Sequence, residues 1–193
     1  MRDLRKLLLL LTVVSIFFYY SDPTTKQFYF ILFYLTAYLI LRIYPILSKI
    51  KRFSKAQIGT IDQMKGEEFE EYTKFLLEKV GYENVKVTKA IGDQGIDVIA
   101  TKNKQKIGIQ CKRYKSNVGN KAIQEAYAGI GYYSLDKAIV LTNSNFTKSA
   151  IDLANKLNVE LWDRKKLIKL IETSKKLENR NSKIQVLEEK EKN

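Results

Sequence analysis

The chain has 193 residues, enough for one globular domain with an appendage and a real core but too few for two full domains. Lysine and arginine number 34 against 21 acidic residues, and the resulting charge of +13 favours a polyanionic partner, either nucleic acid or acidic lipid headgroups. With no histidine and Cys111 as the only cysteine, imidazole general bases, histidine-dependent triads, histidine zinc sites and internal disulfides are excluded, which leaves carboxylates, lysines, amides, hydroxyls and a hard metal ion to carry any chemistry.

Leu7 to Tyr20 carries no charged side chain, and a second apolar stretch from Phe28 to Leu47 is interrupted only by Arg42. Neither shows a polar face wide enough for a water-exposed amphipathic helix. A cleaved signal peptide would need small residues where Phe17, Phe18, Tyr19 and Tyr20 stand. The pattern predicts a two-helix transmembrane hairpin over 1–48, with residues 7–47 in lipid and Tyr19, Tyr20, Tyr29 and Tyr44 near the boundaries. Arg2, Arg5 and Lys6 precede the first stretch, Lys49, Lys51, Arg52 and Lys55 follow the second, and the intervening loop holds only Lys26. Both termini, and the domain that follows, are therefore expected on the cytoplasmic side of the cytoplasmic membrane.

Residues 49–63 read as a linker, polar and aperiodic from Ser54 to Asp62. A helix is predicted from about Met64, with Phe69, Tyr72, Thr73, Leu76 and Val80 at threes and fours, and Gly81 as its stop. Three short runs rich in β-branched residues follow, Val85 to Thr88, Ile96 to Thr101 and Lys106 to Tyr114, separated by turns at 92–95 and 102–105. Helix and strand then alternate: a helix over Asn120 to Tyr133, a strand over Lys137 to Thr142, a helix over Thr147 to Leu157 capped by Asn145 or Thr147, and a strand over Val159 to Trp162. A last helix runs through Ile171, with Asp163 as its cap. The order αβββαβαβα predicts one α/β or α+β domain over 64–171 with a mixed central sheet. The tail, 172–193, reads as a frayed or solvated helix.

The chemistry concentrates in GDQGIDVIATKNKQKIGIQCKRY, from Gly92 to Tyr114. Alternation puts Gln110 and Lys112 on one face of a strand and Cys111 on the other, against apolar neighbours, as core filling rather than as a nucleophile. An antiparallel return from Ile96 brings Asp97 opposite the far end of that strand, and Asp93, Gly95 and Asp97 share the tight turn before it. Asp97, the amide oxygen of Gln110, the backbone carbonyl of Cys111 and water form a ligand set for magnesium or manganese. Lys112 supplies what histidine cannot: it helps deprotonate an attacking water if its pKa falls, or stabilises charge on phosphorus if it stays protonated. Arg113, Tyr114, Lys115 and Lys121, with Asn117 and Asn120, place phosphate-gripping groups nearby. No helix-turn-helix or zinc module is present to read bases.

Gly66, Phe69 and Glu70 in GEEFE, the GDQGIDVIA turn and strand, and the IQCKRY strand resemble the catalytic domain of the Mrr-like branch of the restriction endonuclease superfamily, over about Met64 to Leu170. The resemblance implies an αβββαβ core and a metal-dependent DNA endonuclease, with signature residues at Asp97, Gln110 and Lys112 and a helix-borne glutamate at Glu70. The wider superfamily usually has glutamate or aspartate where Gln110 stands, and a glutamine there is the habit of the Mrr-like branch. Losing that charge weakens metal affinity and keeps alive a second reading, a nuclease-fold module that tethers DNA to the membrane without cutting it. A third reading makes the positive charge a footprint for acidic lipids. Cutting both strands with one active site per chain implies a homodimer.

Overall fold

The computed structural model describes residues 2–21, 25–88 and 94–191, and Gly92 and Asp93 of the predicted turn lie outside them. Contacts divide the chain into two units, Met1–Lys55 and Ala56–Asn193.

The first unit holds two helices, α1 (Arg2–Ser21) and α2 (Thr25–Lys55). Two membrane spans were expected, but among the described residues only the 28-residue segment Phe28–Lys55 of α2 is long and apolar enough to cross a bilayer. The reason is length. Asp3, Arg5 and Lys6 occupy the start of α1, and the uncharged run from Leu7 to Tyr20 measures only about 20 Å along a helix, short of a hydrocarbon core of about 30 Å. Polar groups in these helices find local partners: Thr12 Oγ1 donates to Leu8 O at 2.8 Å, and Arg42 Nη1 donates to Tyr38 Oη at 3.1 Å.

The second unit runs α3 (Ile58–Ile61), α4 (Gly66–Lys79), β1 (Glu83–Val87), β2 (Val98–Lys102), β3 (Gln105–Lys112), α5 (Asn120–Tyr133), β4 (Lys137–Thr142), α6 (Lys148–Leu157), β5 (Glu160–Trp162) and α7 (Arg164–Glu191). The five strands form one mixed sheet in the order β1-β2-β3-β4-β5. The two β1, β2 and β3 pairings are antiparallel, whereas β3 to β4 and β4 to β5 are parallel and are joined by the helical crossovers α5 and α6. Adjacent residues of β3 identify the two faces. Cys111 Sγ lies 3.5 Å from Thr73 Oγ1 on α4, while Lys112 Nζ lies 2.8 Å from Glu125 on α5. One core layer joins Ala122, Ile123 and Ala126 of α5 and Ala150 and Ala154 of α6 to Ala138 and Val140 of β4. On the other side Phe69, Tyr72, Leu76 and Leu77 of α4 are almost wholly buried.

The predicted caps are present. Thr147 Oγ1 accepts from Ala150 N at 3.2 Å, and Asp163 Oδ1 accepts from Lys166 N at 2.9 Å. The linker is more helical than expected, and the helical tail is continuous with the last helix. The linker begins inside α2, which continues through Lys55, and contains α3. The last helix does not stop at Ile171, because no glycine or proline follows to break it; Ser174 is buried and Glu178 pairs with Lys79 of α4 at 3.3 Å.

Close approach of α5 to the start of β2 depends on glycine. Gly95 has φ +80°, a left-handed conformation, and a Cβ there would lie 2.4 Å from the Glu125 carbonyl oxygen; a Cβ on Gly129 would lie 2.4 Å from Ile96. Gly95→Ala combines backbone strain with a clash against backbone, so it is expected to destabilise the full-length protein by at least about 1 kcal/mol in chemical denaturation. An unchanged midpoint would refute this account of the turn.

Candidate active site

The register that brings Val98 opposite Ile109 ends the β2–β3 ladder at Asp97, whose amide donates to Ile109 O at 2.9 Å. Beyond that point the Cys111 amide has no strand partner, and the Asp97 side chain takes its place: Oδ2 accepts from Cys111 N at 2.6 Å and from Gln110 Nε2 at 2.9 Å. Both side chains are buried. With its NH2 committed to Asp97, the Gln110 amide is left with Oε1 buried and without a hydrogen-bond partner.

These groups open on a cavity of about 250 Å³ lined by Glu70, Gly95, Asp97, Gln110, Cys111, Lys112 and Glu125. Asp97, Gln110 and Lys112 thus converge as their spacing predicts, and Glu70 joins them from α4. The chemistry of this donor set fits a hard divalent cation: two carboxylates, Asp97 and Glu70, and an amide oxygen whose acceptor capacity is unused. Among the described residues no group of three or more His, Cys, Asp or Glu side chains is placed to hold a metal, so a cation here would rely on Gln110 and water to complete its shell.

Lys112 is half-buried. Burial disfavours its charge, but the ion pair with Glu125 Oε2 at 2.8 Å outweighs that effect, and the ammonium is held above the usual lysine range. Of the two roles open to Lys112 in the sequence, the structure favours the cation. Cys111 points to α4, and its thiol is pushed well above the usual range by burial and then by Asp97, which removes it as a nucleophile.

Glu125 is the residue that sequence reasoning missed. The signal was present, since a carboxylate three residues after Ala122 and four before Gly129 lies on the buried stripe of α5, where it needs a cationic partner. Lys121 is largely exposed and approaches the same carboxylate at 3.9 Å. Arg113 does not line this cavity, and its Nε is buried without a hydrogen bond. Tyr114 and Lys115 line a different one.

That second cavity is built on a cluster also missed in the sequence. Arg164 Nη1 and Nη2 each donate to Asp62 at 2.8 Å, Asn143 Nδ2 donates to Asp62 Oδ1 at 2.8 Å, and Asn143 Oδ1 accepts from Tyr114 N at 2.9 Å. The Arg164 guanidinium holds the Asp62 carboxyl below its ordinary value, so Asp62 remains an anion at neutral pH.

A mixed sheet clasped between helices, with Asp97, Gln110 and Lys112 converging where an antiparallel hairpin meets a parallel strand, is consistent with a restriction endonuclease-like fold. Residues 61–171 match the restriction endonuclease family through its Mrr catalytic domain, and the chain belongs to that family. It is 27% identical over 117 residues to the type IV methyl-directed restriction enzyme EcoKMrr of Escherichia coli (strain K12), a match that covers 56% of this chain and 38% of that enzyme. Among solved structures, AF1548, a protein of unknown function, is 23% identical with a TM-score of 0.45 over 51% of this chain and 58% of that one. The DNA modification-dependent restriction endonuclease AspBHI is 15% identical with a TM-score of 0.46 over 72% of this chain and 40% of that one.

Replacing Glu125 by glutamine leaves burial of Lys112 unopposed by its ion pair. The pKa of the Lys112 ammonium is expected to fall in Glu125→Gln, read by NMR titration of the lysine side chain; an unmoved pKa would show that the pair is not what holds the charge.

Proposed function

We propose that this chain is a membrane-anchored endodeoxyribonuclease that hydrolyses DNA phosphodiester bonds with a divalent metal ion, magnesium or manganese, in a site built from Asp97, Gln110, Lys112 and Glu70. The observation that carries the reading is the Gln110 amide, which donates to Asp97, keeps a buried oxygen without a hydrogen-bond partner, and lines a cavity together with the carboxylates of Asp97 and Glu70 and the ammonium of Lys112.

Asp97, Glu70 and Gln110 Oε1, with the Cys111 carbonyl at the same strand end, would hold the cation. When bound, such an ion polarises a phosphate oxygen and makes water a nucleophile near neutral pH. Lys112, kept protonated by Glu125, sits where it can hydrogen-bond the negative charge that develops on the phosphoryl oxygens, and its half-burial strengthens that interaction relative to water. Arg113, Tyr114, Lys115 and Lys121 would contact the strand on either side, supported by the basic balance of the chain. Two copies would supply the two sites that a double-strand cut requires.

The methyl-directed relative supports modified DNA as the substrate class. The apolar Phe28–Lys55 segment supports anchoring in the cytoplasmic membrane, and the Lys49, Lys51, Arg52 and Lys55 cluster at its end supports a cytoplasmic position for the nuclease domain.

Full-length protein in detergent is expected to cut duplex DNA with magnesium and to lose at least about 100-fold of that activity in Asp97→Ala or Lys112→Ala, with methylated and unmethylated duplexes compared side by side. Full activity in either variant overturns the site. Salt-dependent binding without cutting in the unaltered protein favours the DNA tether. Separately, the protein is expected to float with phospholipid vesicles and to resist extraction at alkaline pH; release into the soluble fraction would end the anchor reading.

A further inference from the structure

Beside the first cavity lies a second, of about 340 Å³, lined among others by Asp62, Tyr114, Lys115, Asn143, Asn145 and Arg164. It is formed where the carboxyl ends of the parallel strands β3 and β4 run into their loops. Lys112 lines the first cavity and Tyr114 the second, and two residues of chain place their Cα atoms no more than about 7 Å apart. That is the order of one step between neighbouring phosphates on a strand.

The second cavity has the chemistry of a nucleotide pocket. Tyr114 is about half exposed and offers a ring face for stacking. The Asn145 carboxamide and the Lys115 ammonium line the cavity and make no hydrogen bond to other described residues, leaving an edge-reading group and a phosphate-binding group in place. The one carboxylate in the lining, Asp62, is gripped at both oxygens by Arg164 and so does not repel a phosphate. The same cluster fixes the Tyr114 backbone through Asn143, which sets the point from which the ring extends.

From this we infer that the cavity at Tyr114, Lys115 and Asn145 receives one extrahelical nucleotide of the DNA strand, adjacent to the bond that the first cavity cuts. The inference rests on the nuclease reading for the identity of the strand. A base inside a paired duplex cannot enter a concave pocket, so the strand must give up stacking and pairing at one position, and that cost is least where pairing is already weak. DNA with an unpaired or mismatched nucleotide is therefore the preferred ligand.

The test uses full-length protein in detergent with EDTA, and measures by fluorescence anisotropy its binding to a labelled duplex with one central mismatch and to the fully paired counterpart. The mismatched duplex is expected to bind more tightly. Tyr114→Ala should weaken binding of the mismatched duplex by about 5- to 100-fold and erase the preference, while Tyr114→Phe keeps it. Lys115→Ala should reduce the salt slope by about one, and Tyr114→Ala should leave that slope alone. Equal binding of the two duplexes by the unaltered protein, or a Tyr114→Ala loss that is the same on both, overturns the pocket. If Tyr114→Ala fails to fold, Asn145→Ala at an exposed position decides: a narrowed mismatch preference supports the pocket and an unchanged one removes it. A parallel cleavage assay with magnesium separates the two readings, since binding preference without cutting sinks only the nuclease, and cutting without preference sinks only the pocket.

Discussion

The site depends on one carboxylate that stands in for a missing strand. β2 begins at Val98, one residue after Asp97, so the Cys111 amide at the end of β3 would be a buried donor without an acceptor. Asp97 Oδ2 satisfies it at 2.6 Å and also accepts from Gln110 Nε2 at 2.9 Å. Each such charge-assisted bond is worth roughly 1.5–3 kcal/mol, and breaking either leaves a buried polar group unpaired. The left-handed turn at Gly95, the close seat of α5 at Gly129 against Ile96 and the Glu125–Lys112 pair surround Asp97 at that corner.

Charge is partitioned around this corner in a way that composition hides. The chain carries +13, yet the cavity gathers Glu70, Asp97 and Glu125 against the single ammonium of Lys112. A locally acidic pocket in a basic protein attracts a divalent cation at short range while the wider surface attracts a polyanion at long range, and the two requirements do not compete. Glu125 serves both, since it adds negative charge beside Asp97 and Glu70 and keeps Lys112 protonated.

Much of the domain was legible because its signals are local. The helix over Asn120–Tyr133 and the strand over Lys137–Thr142 coincide with their predicted bounds, and strand alternation was enough to put Gln110 and Lys112 on one face and Cys111 on the other. Strand ends were displaced by one or two residues because pairing with a neighbour, not propensity, decides where a ladder stops. Asp62 and Arg164 are 102 residues apart, and no periodicity links them; only the fold does. The expected second span failed on a quantity the sequence did contain, the length of the uncharged run in α1, and the tail expected as a frayed or solvated helix continues α7 to Glu191 because its residues are helix formers.

Gln110 is the position at which this site departs from the wider superfamily, and the geometry bears on whether that departure weakens it. A carboxylate at 110 would face Asp97 Oδ2 across 2.9 Å with no proton between two like-charged acceptors, because Oδ2 is already turned toward the Cys111 amide. Relief would require Asp97 to swing away or one acid to stay protonated, and either would disturb the strand end. The amide avoids this conflict by dividing the labour between its two ends. Nε2 holds Asp97 in place, and Oε1 is left as a buried neutral acceptor without a hydrogen-bond partner on a side chain that lines the cavity. What is lost is one unit of negative charge near a cation, and Glu70 on α4 lies in the same cavity to supply it. Glutamine at this position is thus compatible with the proposed metal site so long as Glu70 is present, and in that proposal the pair Gln110 and Glu70, rather than Gln110 alone, would set ligand strength.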